Sequence, residues 1–138
     1  MARVLIVDDD EADRIVLNAI LERAGHEVFL AEDGRVALSM FGATEIDVIV
    51  TDLQMPEMHG LELITVLRDV SPRPAIIVIS GTGRDQLDMA KVVGADETLM
   101  KPVDRDVLLD AISRVVSGEA RGLGPARSLL WCVGGSAS

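Results

Sequence analysis

Five short runs rich in Val, Ile and Leu, at residues 4–7, 28–30, 46–50, 75–79 and 98–100, recur along the chain, each followed by a longer amphipathic stretch. Apart from Asp47 and Thr98 the runs are continuously apolar rather than alternating, and Asp, Gly, Ser or Pro bound them. That pattern suits strands of a parallel sheet covered on both faces. The stretches between them carry apolar residues at helical spacing. Val16, Ala19, Ile20 and Ala24 fall on one face of the first, with Gly25 as its stop. Ala37, Met40 and Phe41 follow Gly34 in the second. Leu63, Val66, Leu67 and Val70 follow Gly60 in the third, which Ser71-Pro72 ends. Residues 84–93 form a weaker fourth helix before Gly94, and Leu108, Ala111, Ile112 and Val115 mark a fifth that stops near Gly118. A strand–helix unit repeated five times, with right-handed crossovers, gives an α/β fold: a doubly wound, open, parallel five-stranded sheet. Periodicity leaves the strand order open.

The chain of 138 residues is enough for one domain with its own core. Its 23 acidic residues outnumber 13 basic ones, a net charge of −10. So acidic a surface repels phosphate backbones, so no nucleic-acid partner is expected, and it favours cations. Cys132 is the only cysteine, which excludes an internal disulfide. The apolar run at 4–7 is too short for a signal peptide or a membrane span, so a cytoplasmic location is expected. Beyond residue 118 the composition shifts to Gly, Pro, Ser and Ala around an apolar knot at 129–133. Residues 119–138 read as a flexible tail.

Ligands of open α/β sheets bind beyond the carboxyl ends of the strands. Asp8, Asp9 and Asp10 stand there after the first run, Asp52 after the third, Ser80 and Gly81 after the fourth, and Lys101 and Pro102 after the fifth. Crowded carboxylates repel one another, and a hard divalent cation such as Mg²⁺ relieves the repulsion while keeping open positions for water or phosphate. Lys101 supplies a positive charge for a phosphoryl oxygen and Ser80 a hydroxyl donor. Ionised Asp52 needs no general base to act as a nucleophile. The set suits phosphoryl transfer to a carboxylate. Asp10, by contrast, reads as a helix N-cap, and Glu11 and Asp13 as first-turn acids that complement the helix dipole or touch a partner.

The segments VLIVDDD, VIVTDLQMPEMHGLEL, IIVISG and LMKPV, in this order and spacing, resemble the receiver domain of two-component response regulators, the CheY-like family. The resemblance covers residue 3 to about 116. It implies a flavodoxin-like strand order 2-1-3-4-5 and a receiver domain over 1–118. It also implies that Asp52 is the phosphoacceptor, that Asp9, Asp52 and the backbone carbonyl of Gln54 hold Mg²⁺, and that Asp8 acts through water. Ser80 is then the switch hydroxyl, Lys101 pairs with the phosphoryl group, and Pro102 follows a cis peptide bond. Met55-Pro56 and Gly60 shape the loop beyond the acceptor.

Thr98 and His59 depart from the common pattern, and three further positions bear on it. Thr98 stands where many receivers carry an aromatic ring, so Ser80 would signal without aromatic gating. Gln54 and Thr82, which border the approach of hydrolytic water, carry no charge. His59 replaces a frequent Asp, and His26 sits in the turn before the second strand. The implied function is a stand-alone receiver that takes a phosphoryl group from a histidine kinase or phosphotransferase and changes its affinity for a partner protein. Its donor would dock on the first helix near Leu17, and its response face would be the fourth helix, fifth strand and fifth helix. It would be a monomer or a phosphorylation-dependent dimer. The alternatives are a receiver cut from a longer regulator, a binding module indifferent to phosphate, and a haloacid-dehalogenase-like phosphohydrolase. The last is disfavoured because its Asp-x-Asp follows the first strand, whereas Asp52 follows the third.

Overall fold

A computed structural model of the chain describes residues 2–53, 60–70, 72–81 and 84–117, with only the backbone of 84–86. Among these residues ten elements alternate: β1 (Arg3–Val7), α1 (Glu11–Arg23), β2 (Glu27–Ala31), α2 (Gly34–Ala43), β3 (Val48–Asp52), α3 (Gly60–Leu67), β4 (Ala75–Ser80), α4 (Arg84–Val93), β5 (Glu97–Met100) and α5 (Arg105–Ser117). All strand pairs are parallel, in the order β2-β1-β3-β4-β5. Order and architecture match the expectation from the resemblance. Gln54, Met55, Pro56, His59, Ser71, Thr82, Gly118 and the tail with Cys132 and the knot at 129–133 lie outside the described residues.

The continuous apolar runs have a simple cause. Successive side chains of a strand point to opposite faces, so a sheet covered on both sides needs apolar residues at every position. Leu5, Val7, Ile49, Ile76 and Val78 pack on one face with Leu63, Ile64 and Leu67 of α3 and Leu87 and Ala90 of α4. Val4, Ile6, Val48, Val50, Ile77 and Ile79 pack on the other with Leu17 and Leu21 of α1 and Leu108, Ala111, Ile112 and Val115 of α5. Helix starts are fixed by acids. Asp10 accepts from the backbone N–H groups of Ala12 and Asp13, and Asp33 from that of Val36. Such a cap contributes about 1 kcal/mol. The chain leaves α1 and α4 through Gly25 and Gly94, at φ of 93° and 138°, where a side chain would be strained.

The α5 face is as read from the sequence. Two other helices are phased differently. On α1 the buried residues are Leu17 and Leu21, while Val16 is 56% exposed and Ala19 and Ala24 face solvent. Apolar residues surround most of this helix, so spacing alone fits two faces, and packing on the sheet selects one. Leu17, expected to lie at a docking surface, is therefore buried; Ile15 and Val16 are exposed on this helix. On α3, Ile64 takes the buried place expected for Val66, which is exposed. That helix ends at Leu67, before Ser71-Pro72.

At the amino ends of β4 and β5 lies a tie between strands. Asp96 is buried and accepts from Arg73 through Nη1 at 3.1 Å and Nη2 at 2.6 Å, and from the backbone N–H of Ile76 at 2.8 Å. The N–H of Asp96 donates to the carbonyl of Ile76 at 2.8 Å. Lys91 Nζ donates to the carbonyl of Asp96 at 2.9 Å. The opposite ends of these strands carry Ser80 and Met100-Lys101.

Candidate functional site

Parallel register brings the expected residues to one rim. Val7 pairs with Thr51, so the next residues, Asp8 and Asp52, stand side by side at the ends of β1 and β3. Ser80 pairs with Met100, which places Lys101 just beyond β5. The backbone N–H of Asp8 donates to the carbonyl of Ala31 at 3.1 Å, extending β1 by one residue. The N–H of Lys101 donates to the carbonyl of Ser80 at 3.0 Å. The Lys101-Pro102 peptide bond is cis, as the resemblance implied.

The backbone of Asp52 is clamped from two sides. Thr51 Oγ1 donates to its carbonyl at 2.8 Å. The first residue of α3, Gly60, donates its N–H to the carbonyl of Leu53 at 2.9 Å. A Cβ at Gly60 would lie 2.6 Å from the carbonyl oxygen of Asp52 and 2.7 Å from Cα of Leu53. Glycine is required there because α3 and the end of β3 touch through their backbones.

Lys101 joins the carboxylates. Its Nζ donates to Asp52 Oδ2 at 3.0 Å, to Asp8 Oδ2 at 3.2 Å and to Asp13 Oδ2 at 2.7 Å. Asp8 is almost fully buried, and its Oδ1 accepts the backbone N–H of Asp10 at 2.9 Å. Arg14 Nη1 donates to the carbonyl of Asp8 at 2.6 Å. Ser80 is buried at the end of β4. Burial pushes the Asp8 carboxyl above its ordinary value, and the charge of Asp52 adds to this against the N–H of Asp10 and the ammonium of Lys101. Burial alone would pull Lys101 down. The hydrogen bonds to Asp13 and Asp52 and the charges of Asp52 and Asp8 outweigh it, and the ammonium is held above the ordinary lysine value.

Asp8, Asp9 and Asp52 each direct one carboxylate oxygen into a group whose members lie within 4.8 Å of one another. Asp9 is exposed and opens the group to solvent. Three carboxylate oxygens fit Mg²⁺ in chemistry, and an octahedral ion with bonds of about 2.1 Å would draw its ligands to roughly 3–4 Å of one another. The expected contribution of Gln54 lies outside the described residues.

The family described as response regulator receiver domain matches residues 4–113. The chain belongs to that family. This receiver is 37% identical over 121 residues to the protein PilH of Pseudomonas aeruginosa, covering 86% of the chain and 100% of PilH. It is 33% identical over 115 residues to the chemotaxis protein CheY of Thermotoga maritima, covering 82% of the chain and 96% of that protein. A solved structure of the chemotaxis response regulator CheY4 of Vibrio cholerae matches it with a TM-score of 0.76 at 36% identity, covering 83% of this chain and 98% of that one. Receivers of this kind act in two-component phosphorelay signalling, typically bind Mg²⁺ at an acidic cluster, and interact with histidine kinases or phosphotransferases. No helix among the described residues is long and apolar enough to cross a membrane.

One residue of the receiver site escapes the sequence reading. Asp13 is expected to complement the α1 dipole or to touch a partner, yet it makes the shortest of the three bonds to Lys101, 88 residues away. The signal available was its place on the first turn of a helix that starts three residues beyond the β1 rim.

Proposed function

We propose that this receiver takes a phosphoryl group on Asp52 and uses the modification to change its affinity for a partner protein. The supporting observation is the placement of the Asp52 carboxylate at a strand end, 3.0 Å from Lys101 and beside the oxygens of Asp8 and Asp9. An oxygen of Asp52 attacks phosphorus. The bond from phosphorus to the donor's imidazole nitrogen breaks, and its electron pair leaves with that nitrogen. Lys101 offers a positive charge to the phosphoryl oxygens, and Ser80 a hydroxyl. Asp9 and Asp52, with the carbonyl of Gln54, would hold Mg²⁺ directly and Asp8 through water. When bound, the ion neutralises charge on the transferring group.

The donor is a histidine kinase or a phosphotransferase, and it docks against the exposed Ile15 and Val16 of α1. The response face is formed by α4, β5 and α5, where Met89, Val92, Met100 and Val107 are exposed. In this reading the receiver works in the cytoplasm as a monomer or a phosphorylation-dependent dimer. Incubation with acetyl phosphate and Mg²⁺, followed by intact mass, tests the acceptor. One phosphoryl adduct is expected on the unaltered chain and none on Asp52→Asn. An adduct that persists in Asp52→Asn would overturn the assignment.

A further inference from the structure

We infer that Asp13 is a positioning residue: its carboxylate holds the Lys101 ammonium while Asp52 is unmodified and gives it up when a phosphoryl group arrives. The inference rests on the proposed role of Asp52 as acceptor. An ammonium has three N–H donors. In Lys101 all three are engaged, one each with Asp8, Asp13 and Asp52. A phosphoryl oxygen can bond to this ammonium only if one of the present partners yields. The partners differ in what yielding costs. The Asp8 side chain is 2% exposed, and losing Lys101 would leave a charge in the interior. The Asp52 side chain, at 9%, carries the incoming group itself. The Asp13 side chain is 39% exposed, and water can replace the ammonium there with little penalty.

The displaced Asp13 carboxylate keeps its charge near the phosphoryl dianion. It touches neither the acceptor nor the phosphorus, and acts only through Lys101 and its field. A unit charge roughly 6 Å away in an effective dielectric near 80 changes an equilibrium by about threefold, and a lower dielectric strengthens the effect. Replacing Asp13 by a neutral residue of the same size should therefore tighten binding of a phosphoryl mimic.

The test is titration of the full chain with beryllofluoride in the presence of Mg²⁺, followed by NMR. Asp13→Asn is expected to bind about three- to tenfold more tightly than the unaltered chain, and Asp13→Glu, which keeps the charge, to bind like it. A purely structural role would weaken both variants or leave both unchanged, and either result overturns the inference. A second readout needs no metal. The order parameter of the Lys101 Cε methylene should fall in metal-free Asp13→Asn and not in Asp13→Glu; an unchanged value in Asp13→Asn overturns the latch. Asp13→Ser serves in place of Asp13→Asn if that variant does not fold. Failure of the unaltered chain to bind beryllofluoride removes the acceptor reading and the latch together. Binding by the unaltered chain with no gain in Asp13→Asn removes the latch alone.

Discussion

Substitution of Asp96 by Ala should be among the most destabilising changes on the surface-proximal side of the sheet. The carboxylate is buried and serves two donors, the Arg73 guanidinium and the backbone N–H of Ile76. Removing it leaves the Ile76 N–H orphaned inside β4, which costs about 1–3 kcal/mol. It also breaks the bidentate charged pair, and loss of one partner of a buried pair costs about 3–5 kcal/mol in all. Arg73, at 29% exposure, recovers part of its hydration, so the lower half of that range applies. Asp96→Asn keeps an oxygen for the Ile76 N–H and loses only the charge, so it should cost roughly half as much. Urea unfolding followed by far-ultraviolet circular dichroism measures both. With a slope of about 1–3 kcal/mol per molar, Asp96→Ala should lower the midpoint by roughly 2 M. Equal losses for Ala and Asn would refute the role given to the Ile76 N–H. A loss under about 1 kcal/mol for Ala would refute the tie altogether.

Two further outcomes follow from other sites. Gly60→Ala forces a Cβ against the backbone of Asp52 and Leu53, which should cost about 1–3 kcal/mol by overpacking. Because a shift of about 1 Å can cost a hundredfold in rate, uptake of phosphate from acetyl phosphate should slow at least tenfold; uptake at the normal rate would show that the acceptor strand does not feel the helix. His26 Nδ1 accepts the backbone N–H of Ala2 at 3.0 Å, and burial lowers its folded-state value below the ordinary 6.5. The unfolded chain then binds the proton more readily, so this stabilisation is complete above pH 6.5 and is lost as pH falls through the folded value. Thermal melts between pH 7.5 and 5 should show a smaller fall for His26→Asn than for the unaltered chain, and parallel curves would count against it.

Fold class was legible because both faces of the sheet are covered, which leaves unbroken apolar runs at 4–7, 48–50 and 75–79. Helix phase was legible on α5, where Leu108, Ala111, Ile112 and Val115 form one narrow stripe. On α1 it was not, because Val16, Ala19 and Ile20 satisfy the same spacing as Leu17 and Leu21, and only contact with the sheet separates them. Asp8, Asp9, Asp52 and Lys101 could be assembled from the rule that strand ends share a rim. Asp13 could not, because an acid on a first helical turn is equally satisfied by the helix dipole. Its bond to Lys101 depends on how α1 and the end of β5 lie across the rim, a relation that periodicity does not encode.

The close approach at Gly60 has a consequence for reading mutational data. Every replacement of a glycine adds at least one carbon, and here that carbon meets main-chain atoms that cannot rotate aside. In a saturation library sorted by phosphotransfer, codon 60 should be depleted almost as thoroughly as codon 52. A ranking by intolerance alone would then place a residue with no reactive atoms among the chemical ones.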